Sequence, residues 1–278
     1  MILFKKATDL TAFVTSQKLV NKSIGFVPTM GALHQGHLSL LQQSSKQNDT
    51  TICSIFVNPT QFNNEDDFIK YPVTIEKDIQ LLAEIGCTAL FLPDNEEVYP
   101  HGHSKKIYDL GELEFILEGK FRPGHFQGVC EVVDRLLTIV QPHQIYLGQK
   151  DFQQCIVIKK MIRDVFNNSI KVNTEHTLRE EDGLAMSSRN LRLTKEGREK
   201  APAIYGALQY IKQHLGEKEA DVVTQAKKIL SDAQFSIDYV EIVNPKTLMR
   251  TANEVEPKVV LIAASLESIR LIDNMMLL

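Results

Sequence analysis

The strongest constraint on this chain is a series of short apolar runs, each closed by a residue that ends a strand. Ile24-Gly25-Phe26-Val27 stops at Pro28, Thr51–Val57 at Asn58-Pro59, Thr88–Leu92 at Pro93, and Gln144–Leu147 at Gly148. Runs that are apolar at successive positions, not alternate ones, suit strands buried on both faces of a parallel sheet. Helical periods lie between them. Ile75, Ile79 and Leu82 recur at i, i+4 and i+7; Val129, Val132, Val133, Leu136, Leu137 and Val140 share one face; Ile156, Ile158, Met161, Ile162 and Val165 follow Asp151. This alternation predicts an α/β fold with a doubly wound, Rossmann-like parallel sheet. Ligands of such sheets bind beyond the carboxyl ends of the strands, so the segments after Val27, Val57 and Leu147 are the places to look.

The last hundred or so residues read differently. Ile204, Leu208, Ile211 and Leu215 make one helical stripe, and Val222, Val223, Ala226, Ile229 and Leu230 a second. β-like runs follow at Phe235–Val243, Val259–Ala263 and Ile269–Ile272. A smaller α+β domain is expected over residues 178–278, after a first domain of residues 1–177, with the boundary near residues 176–185 in the charged loop that holds Arg179–Gly183. With 278 residues, 43% of them hydrophobic, the chain can bury a core without a disulfide or metal. A net charge of −4 argues against nucleic-acid binding by broad phosphate neutralisation. Cys53, Cys87, Cys130 and Cys155 form no CxxC pair and read as small buried hydrophobes of a reducing compartment. Met1–Phe4 runs straight into Lys5-Lys6, and no apolar run reaches the length of a membrane span, so a cytoplasmic protein is expected.

Pro28-Thr29-Met30-Gly31-Ala32-Leu33-His34-Gln35-Gly36-His37 leaves the first of the four runs and opens a helix. Its glycines permit a tight turn, and a helix N-terminus offers N–H groups and positive potential to a phosphate. His34 and His37, three apart, share a helical face. Two capping or core histidines, a metal pair lacking an evident third ligand, and two donors over one phosphate are the readings this pattern allows. Neither GxxxxGK[ST] nor GxGxxG occurs, so P-loop and dinucleotide sites lack their motifs. Three further segments suit an anionic ligand. Asn58 and Gln61 follow the second run; Gly148-Gln149-Lys150-Asp151 follow another; and Arg179–Asn190 carries Ser187, Ser188 and Arg189 on a loop.

Taken together, PTMGALHQGH, IFVNPTQF, FRPGHFQGV, YLGQKDFQQ and REEDGLAMSSRN resemble the pantoate–β-alanine ligases, a family of the HIGH-type nucleotidyltransferase superfamily. That resemblance implies ATP-dependent condensation of pantoate with β-alanine to pantothenate. Pantoate's carboxylate attacks the α-phosphorus of ATP, pyrophosphate leaves, and the amine of β-alanine displaces AMP from pantoyl adenylate. By the same resemblance Met30, Gly31, Ala32, Leu33, His34, Gln35, Gly36 and His37 bind ATP, with His37 as proton donor and His34 its partner. Gly148, Gln149, Lys150 and Asp151 also face ATP, Lys150 as the phosphate cation. Gln61, Asn58 and Gln154 hold pantoate and β-alanine. Leu178 meets adenine through its backbone, and Met186, Ser187, Ser188 and Arg189 close on the triphosphate. Mg²⁺ is expected with ATP, with Asp78 as a metal contact, and the protein is expected to be a homodimer. Gln127, Gln149 and Arg192 depart from the family's commoner residues. Another HIGH-type nucleotidyltransferase acting on a different small substrate is the alternative. His101-Gly102-His103 reads as a loop, Glu65-Asp66-Asp67 as a solvated acidic turn, and His125 as a helix entry.

Overall fold

A computed structural model describes residues 1–250 and 256–277. They divide into two compact units, Met1–Gly148 with Gln154–Glu175, and Gln149–Gln153 with His176–Leu278.

The first unit is built on β1 (Ile2–Phe4), β2 (Ile24–Thr29), β3 (Thr50–Ile55), β4 (Ala89–Phe91), β5 (Gln144–Gly148) and β6 (Lys171–Glu175). They pair in the order β1-β4-β3-β2-β5-β6, every pair parallel. The four apolar runs become β2 to β5, the central strands. Helices α1 (Ala7–Leu19), α2 (Gln35–Gln47), α3 (Glu65–Ile69), α4 (Ile75–Glu84), α5 (Asn95–Val98), α6 (Glu118–Phe121), α7 (His125–Val140) and α8 (Phe152–Phe166) connect them. Successive strand residues point to opposite faces. Phe26, Ile52 and Ile145 join the core formed with Leu10 and Val14 of α1, Leu137 of α7 and Ile158 of α8. Val27, Cys53, Leu90 and Tyr146 join the other, with Leu41 of α2 and Leu82 of α4. Burial on both faces is why these strands need apolar residues at consecutive positions.

The chain adds β3 on one side of β2 and later β5 on the other. The topological switch point therefore lies between the carboxyl ends of β2 and β5. Two strands go unpredicted by the apolar pattern. β1 is three residues long at one sheet edge, and β6, Lys-Val-Asn-Thr-Glu, is half-buried at the other.

The second unit carries α9 (Lys195–Lys200), α10 (Ala203–Gln213) and α11 (Glu219–Asp232), with β7 (Ser236–Val243), β8 (Val259–Leu266) and β9 (Ile269–Met276). The strands form an antiparallel sheet in the order β7-β8-β9. Ala207, Leu208 and Ile211 of α10 and Ala226 and Leu230 of α11 share its core with Val260 and Ile262 of β8. Residues 149–153 belong to this unit, whereas the sequence assigns them to the first domain. The side chain of Asn274, on β9, donates to the carbonyls of Gln149 (2.9 Å) and Lys150 (3.0 Å), a long-range tie that sequence does not display.

None of the four cysteines is in a disulfide, and all four are buried. Burial pushes the Cys53 thiol well up, Cys87 to about 11 and Cys130 to about 12. Among the described residues no helix is long and apolar enough to cross a membrane.

Candidate active site

The turn between β2 and α2 is built around a buried carboxylate. Gly31 (φ 81°) and Ala32 (φ 50°) both adopt the left-handed region, costly for alanine and natural for glycine. A Cβ on Gly31 would lie 3.0 Å from Cγ2 of Ile55 and 3.1 Å from Oδ2 of Asp78. The two N–H groups that this backbone exposes, those of Ala32 and Leu33, each donate to a different oxygen of Asp78 at 2.9 Å. The Thr74 hydroxyl donates to the same carboxylate at 3.0 Å. Asp78 is fully buried. It holds the turn from within, its oxygens facing chain donors.

His34 caps α2. Its Nδ1 accepts from the Gly36 N–H (3.2 Å), and His37 Nδ1 accepts from the His34 N–H (3.4 Å), a reciprocal capping box. The rings lie 4.0 Å apart, centroid to centroid. Because each Nδ1 accepts, the proton of each neutral ring sits on Nε2. Both imidazoles thus carry an Nε2–H donor at the positive end of a 13-residue helix. Gln35 and Gly36 form the first turn of the same helix.

Asn58 and Gln61 lie in the short 3₁₀ turn after β3. Asn58 Oδ1 accepts from the Thr60 N–H (3.3 Å), the Thr60 hydroxyl (3.1 Å) and the Tyr99 hydroxyl (3.0 Å). Burial pushes the Tyr99 phenol up to about 12, so it remains a donor. An atom facing a backbone N–H must be the oxygen, and this fixes the amide's orientation. Nδ2 then donates to the Gly128 carbonyl (3.2 Å) and to Gln61 Oε1 (3.3 Å). Gln61 in turn presents Nε2, which sits 2.9 Å from Sδ of Met30. Asn58 is fully buried, and these partners are all internal. It aims Gln61, whose outward group is a donor suited to a carboxylate or hydroxyl oxygen.

The FRPGHFQGV segment, for which sequence offers no chemistry, secures this turn. His125 Nδ1 is 2.8 Å from the Gln61 carbonyl, and Arg122 donates to the same oxygen at 3.3 Å. Gly128 of α7 admits the turn closely; a Cβ there would meet the Thr60 carbonyl oxygen at 2.3 Å. Gln127 pairs with the backbone of Tyr108 (3.0 and 2.9 Å) and donates to Glu114, so this departure serves loop packing. His103, expected in a loop of no fixed role, contacts buried Glu131 at 3.2 Å. Beyond the ends of β3 and β4 lies an apolar cavity of about 450 Å³, lined by Ile55, Phe56, Val57, Pro59 and Leu92. Gly148 ends β5 and Gln154 lies in α8, both in the first unit.

The other expected residues are in the second unit. Lys150 lies 3.4 Å from Asp151. Gln149 donates to Asn274 Oδ1 (3.2 Å), and its Oε1 lies 3.1 Å from His176 Nδ1. The Leu178 carbonyl accepts from the Met186 N–H (3.0 Å), closing a loop in which Arg179 pairs with Ala185. Ser187 caps the 3₁₀ turn Ser188–Arg192 by accepting from the Arg189 N–H at 3.3 Å; Ser188 is buried. Arg179 grips Asp273 with two bonds, 2.6 and 3.0 Å, while stacking on Tyr205 at 4.5 Å. Burial holds the Asp273 carboxyl above its ordinary value, and the Arg179 guanidinium offsets only part of that rise.

The family model described as pantoate–β-alanine ligase matches residues 2–276. A pantothenate synthetase of Cytophaga hutchinsonii is 43% identical over 284 residues, covering 100% of each chain. That of Thermus thermophilus is 42% identical over 260 residues, 92% of this chain and 94% of its own. A crystal structure of the Thermus thermophilus pantothenate synthetase superposes with a TM-score of 0.93 at 39% identity, covering 100% of this chain and 99% of that one. A pantoate–β-alanine ligase from Francisella tularensis, complexed with beta-gamma ATP and β-alanine, gives 0.85 at 36% identity, covering 99% and 97%.

Proposed function

The chain belongs to the pantoate–β-alanine ligase family, and on that premise we propose how its residues divide the work. The enzyme is a ligase that condenses pantoate with β-alanine through an amide bond, using ATP. The pantoate carboxylate oxygen bonds to the α-phosphorus of ATP as the bond to the β-phosphate oxygen breaks. Pyrophosphate leaves, and the β-alanine nitrogen then attacks the acyl carbon, loses a proton and displaces AMP.

The observation that carries the assignment is the pair of imidazoles at the start of α2. Their Nδ1 atoms serve the backbone, so Nε2–H is the group each ring offers to a phosphate oxygen. Charge that builds on the α-phosphoryl group during attack is stabilised by such fixed donors, and no protein nucleophile is needed. His37 donates to the departing phosphate oxygen, with His34 beside it. The turn from Met30 to Leu33 carries the nucleotide, Lys150 neutralises phosphate charge, and Ser187, Ser188 and Arg189 meet the triphosphate. Gly148, Gln149 and Asp151 line the nucleotide, Leu178 borders adenine through its backbone, and Met186 closes on the triphosphate with Ser187, Ser188 and Arg189. Gln61 donates to pantoate from Nε2, and Gln154 completes the pantoate contacts. Magnesium enters as the MgATP substrate, its ligands the phosphate oxygens; among the described residues no group of three or more His, Cys, Asp or Glu is placed to hold a metal ion. A homodimer is part of this reading.

The test follows the two half-reactions separately. With MgATP and pantoate, pyrophosphate appears once per site; AMP appears only after β-alanine is added. Nucleotide retained on the final product would instead mark a nucleotidyltransferase and overturn the assignment. His37→Ala and Lys150→Ala each slow pyrophosphate release by about 10²–10³, the scale of losing one acid or one charge stabiliser. Gln61→Ala raises the KM for pantoate while the KM for ATP holds.

A further inference from the structure

Lys150 sits on a three-residue 3₁₀ turn, Gln149–Asp151, too short to fix its own direction. What holds this turn is strand β9. Asn274 of β9 is buried, and both of its amide hydrogens are committed: Nδ2 donates to the carbonyls of Gln149 (2.9 Å) and Lys150 (3.0 Å). Its Oδ1 accepts from Gln149 Nε2 at 3.2 Å. The three bonds clamp two consecutive peptide units and the side chain before the lysine.

Asn274 is itself locked from behind. Its N–H donates to Asp273 at 2.7 Å, and Arg179 takes both oxygens of that carboxylate and also donates to the Asn274 carbonyl at 3.3 Å. A buried amide whose two donors meet two carbonyls admits no neighbour of different polarity. An aspartate there would turn acceptors toward acceptors.

We propose that Asn274 is a positioning residue for the adenylation step, acting through the backbone of Gln149 and Lys150 to aim the Lys150 ammonium. The inference rests on the phosphate role given to Lys150 above. Loss of the clamp lets that ammonium drift by an ångström or so, which costs about 10²-fold in a step governed by alignment. The pantoate contacts proposed above, Gln61 and Gln154 of α8, lie outside the clamped turn Gln149–Asp151, so the KM for pantoate is unaffected.

The test is a double-mutant cycle on pyrophosphate release from MgATP and pantoate. Asn274→Ala lowers kcat by about 10²-fold with the pantoate KM within about twofold of wild type, and Asn274→Asp does no better. The Lys150→Ala/Asn274→Ala double variant is no slower than Lys150→Ala alone, because the clamp has nothing left to aim. A merely structural asparagine would instead slow the Lys150→Ala background by its full factor, and that result overturns the proposal. Wild-type kcat in Asn274→Ala, with Lys150→Ala slow, overturns it too. Wild-type kcat in Lys150→Ala defeats the underlying role of the lysine. Gln149→Ala removes one bond of the clamp and leaves the strand intact, so it decides the matter should Asn274→Ala not fold. The expected loss there is about threefold, the scale of one hydrogen bond, and it too vanishes in the Lys150→Ala background. A full-rate Gln149→Ala, or one whose loss persists in that background, counts against the clamp.

Discussion

Replacing Asp78 by asparagine separates two roles for one carboxylate, and the structure sets the size of the effect. The side chain is fully buried and takes the Ala32 N–H on Oδ2 and the Leu33 N–H on Oδ1, both at 2.9 Å, with the Thr74 hydroxyl at 3.0 Å. Asparagine has nearly the same shape but can accept on one atom only. Its Nδ2 must face one of the two backbone N–H groups, donor against donor. One charge-assisted bond, worth about 1.5–3 kcal/mol, is lost outright, the other is weakened to a neutral bond, and a buried N–H is left without an acceptor. The sum is about 3–4 kcal/mol, large against the 5–15 kcal/mol that holds a typical domain together. The strained Gly31-Ala32 backbone loses the carboxylate that holds it, so the turn relaxes and the His34 cap goes with it. Urea titration of Asp78→Asn shows a midpoint lowered in proportion, and pyrophosphate release falls at every magnesium concentration alike. If Asp78 were a magnesium ligand, stability would be nearly unchanged and the concentration of Mg²⁺ for half-maximal rate would rise. That pair of results would refute the turn-anchor argument.

Tyr99→Phe removes one of three donors that hold Asn58, and through it Gln61; the pantoate KM rises about threefold to tenfold, with kcat little changed, in initial-rate measurements. The Tyr99 phenol lies at about 12 in the fold. A folded value raised above the free one means that its contribution is complete below about pH 10 and is lost only as pH climbs through 12, so the wild-type pantoate KM is flat from pH 8 to about 10. A break near pH 9 that Tyr99→Phe abolishes would contradict this. Thiol labelling by an aromatic disulfide finds no fast-reacting cysteine in the native protein and four after denaturation, because burial raises Cys53, Cys87 and Cys130 and keeps thiolate scarce at pH 8. Stoichiometric labelling within seconds at neutral pH would contradict that burial.

The fold was legible where burial is two-sided. β2 to β5 pack against helices on both faces, and Phe26 with Val27, or Ile52 with Cys53, record both faces in consecutive letters. β1 and β6 stand at the sheet edges, where one neighbour and partial solvent cover leave Lys171-Val172-Asn173-Thr174-Glu175 without an apolar run. α1 escaped for a related reason, since only Leu10 and Val14 of its thirteen residues are buried. For the site, the residue types were legible but not their directions. Asn58 follows a strand and Asp78 lies in the first turn of α4, places where substrate-facing groups also occur, and nothing local says that both point inward. The grip of Asn274 on Gln149 spans 125 positions and lies outside any local pattern.

The two histidines show why types outrun directions. Sequence offers capping and phosphate binding as rival explanations of HxxH. The geometry removes the rivalry, because an imidazole has two edges. His34 and His37 turn Nδ1 to the backbone, closing a reciprocal cap at the start of α2. That contact is what fixes the tautomer and leaves the proton on Nε2. A histidine without the cap would divide its proton between two nitrogens and its ring among several rotamers. The bond that makes these residues structural is therefore the same bond that makes them oriented donors, and asparagine, whose Oδ1 accepts the capping N–H but which carries no Nε2–H, is the substitution that separates the two roles.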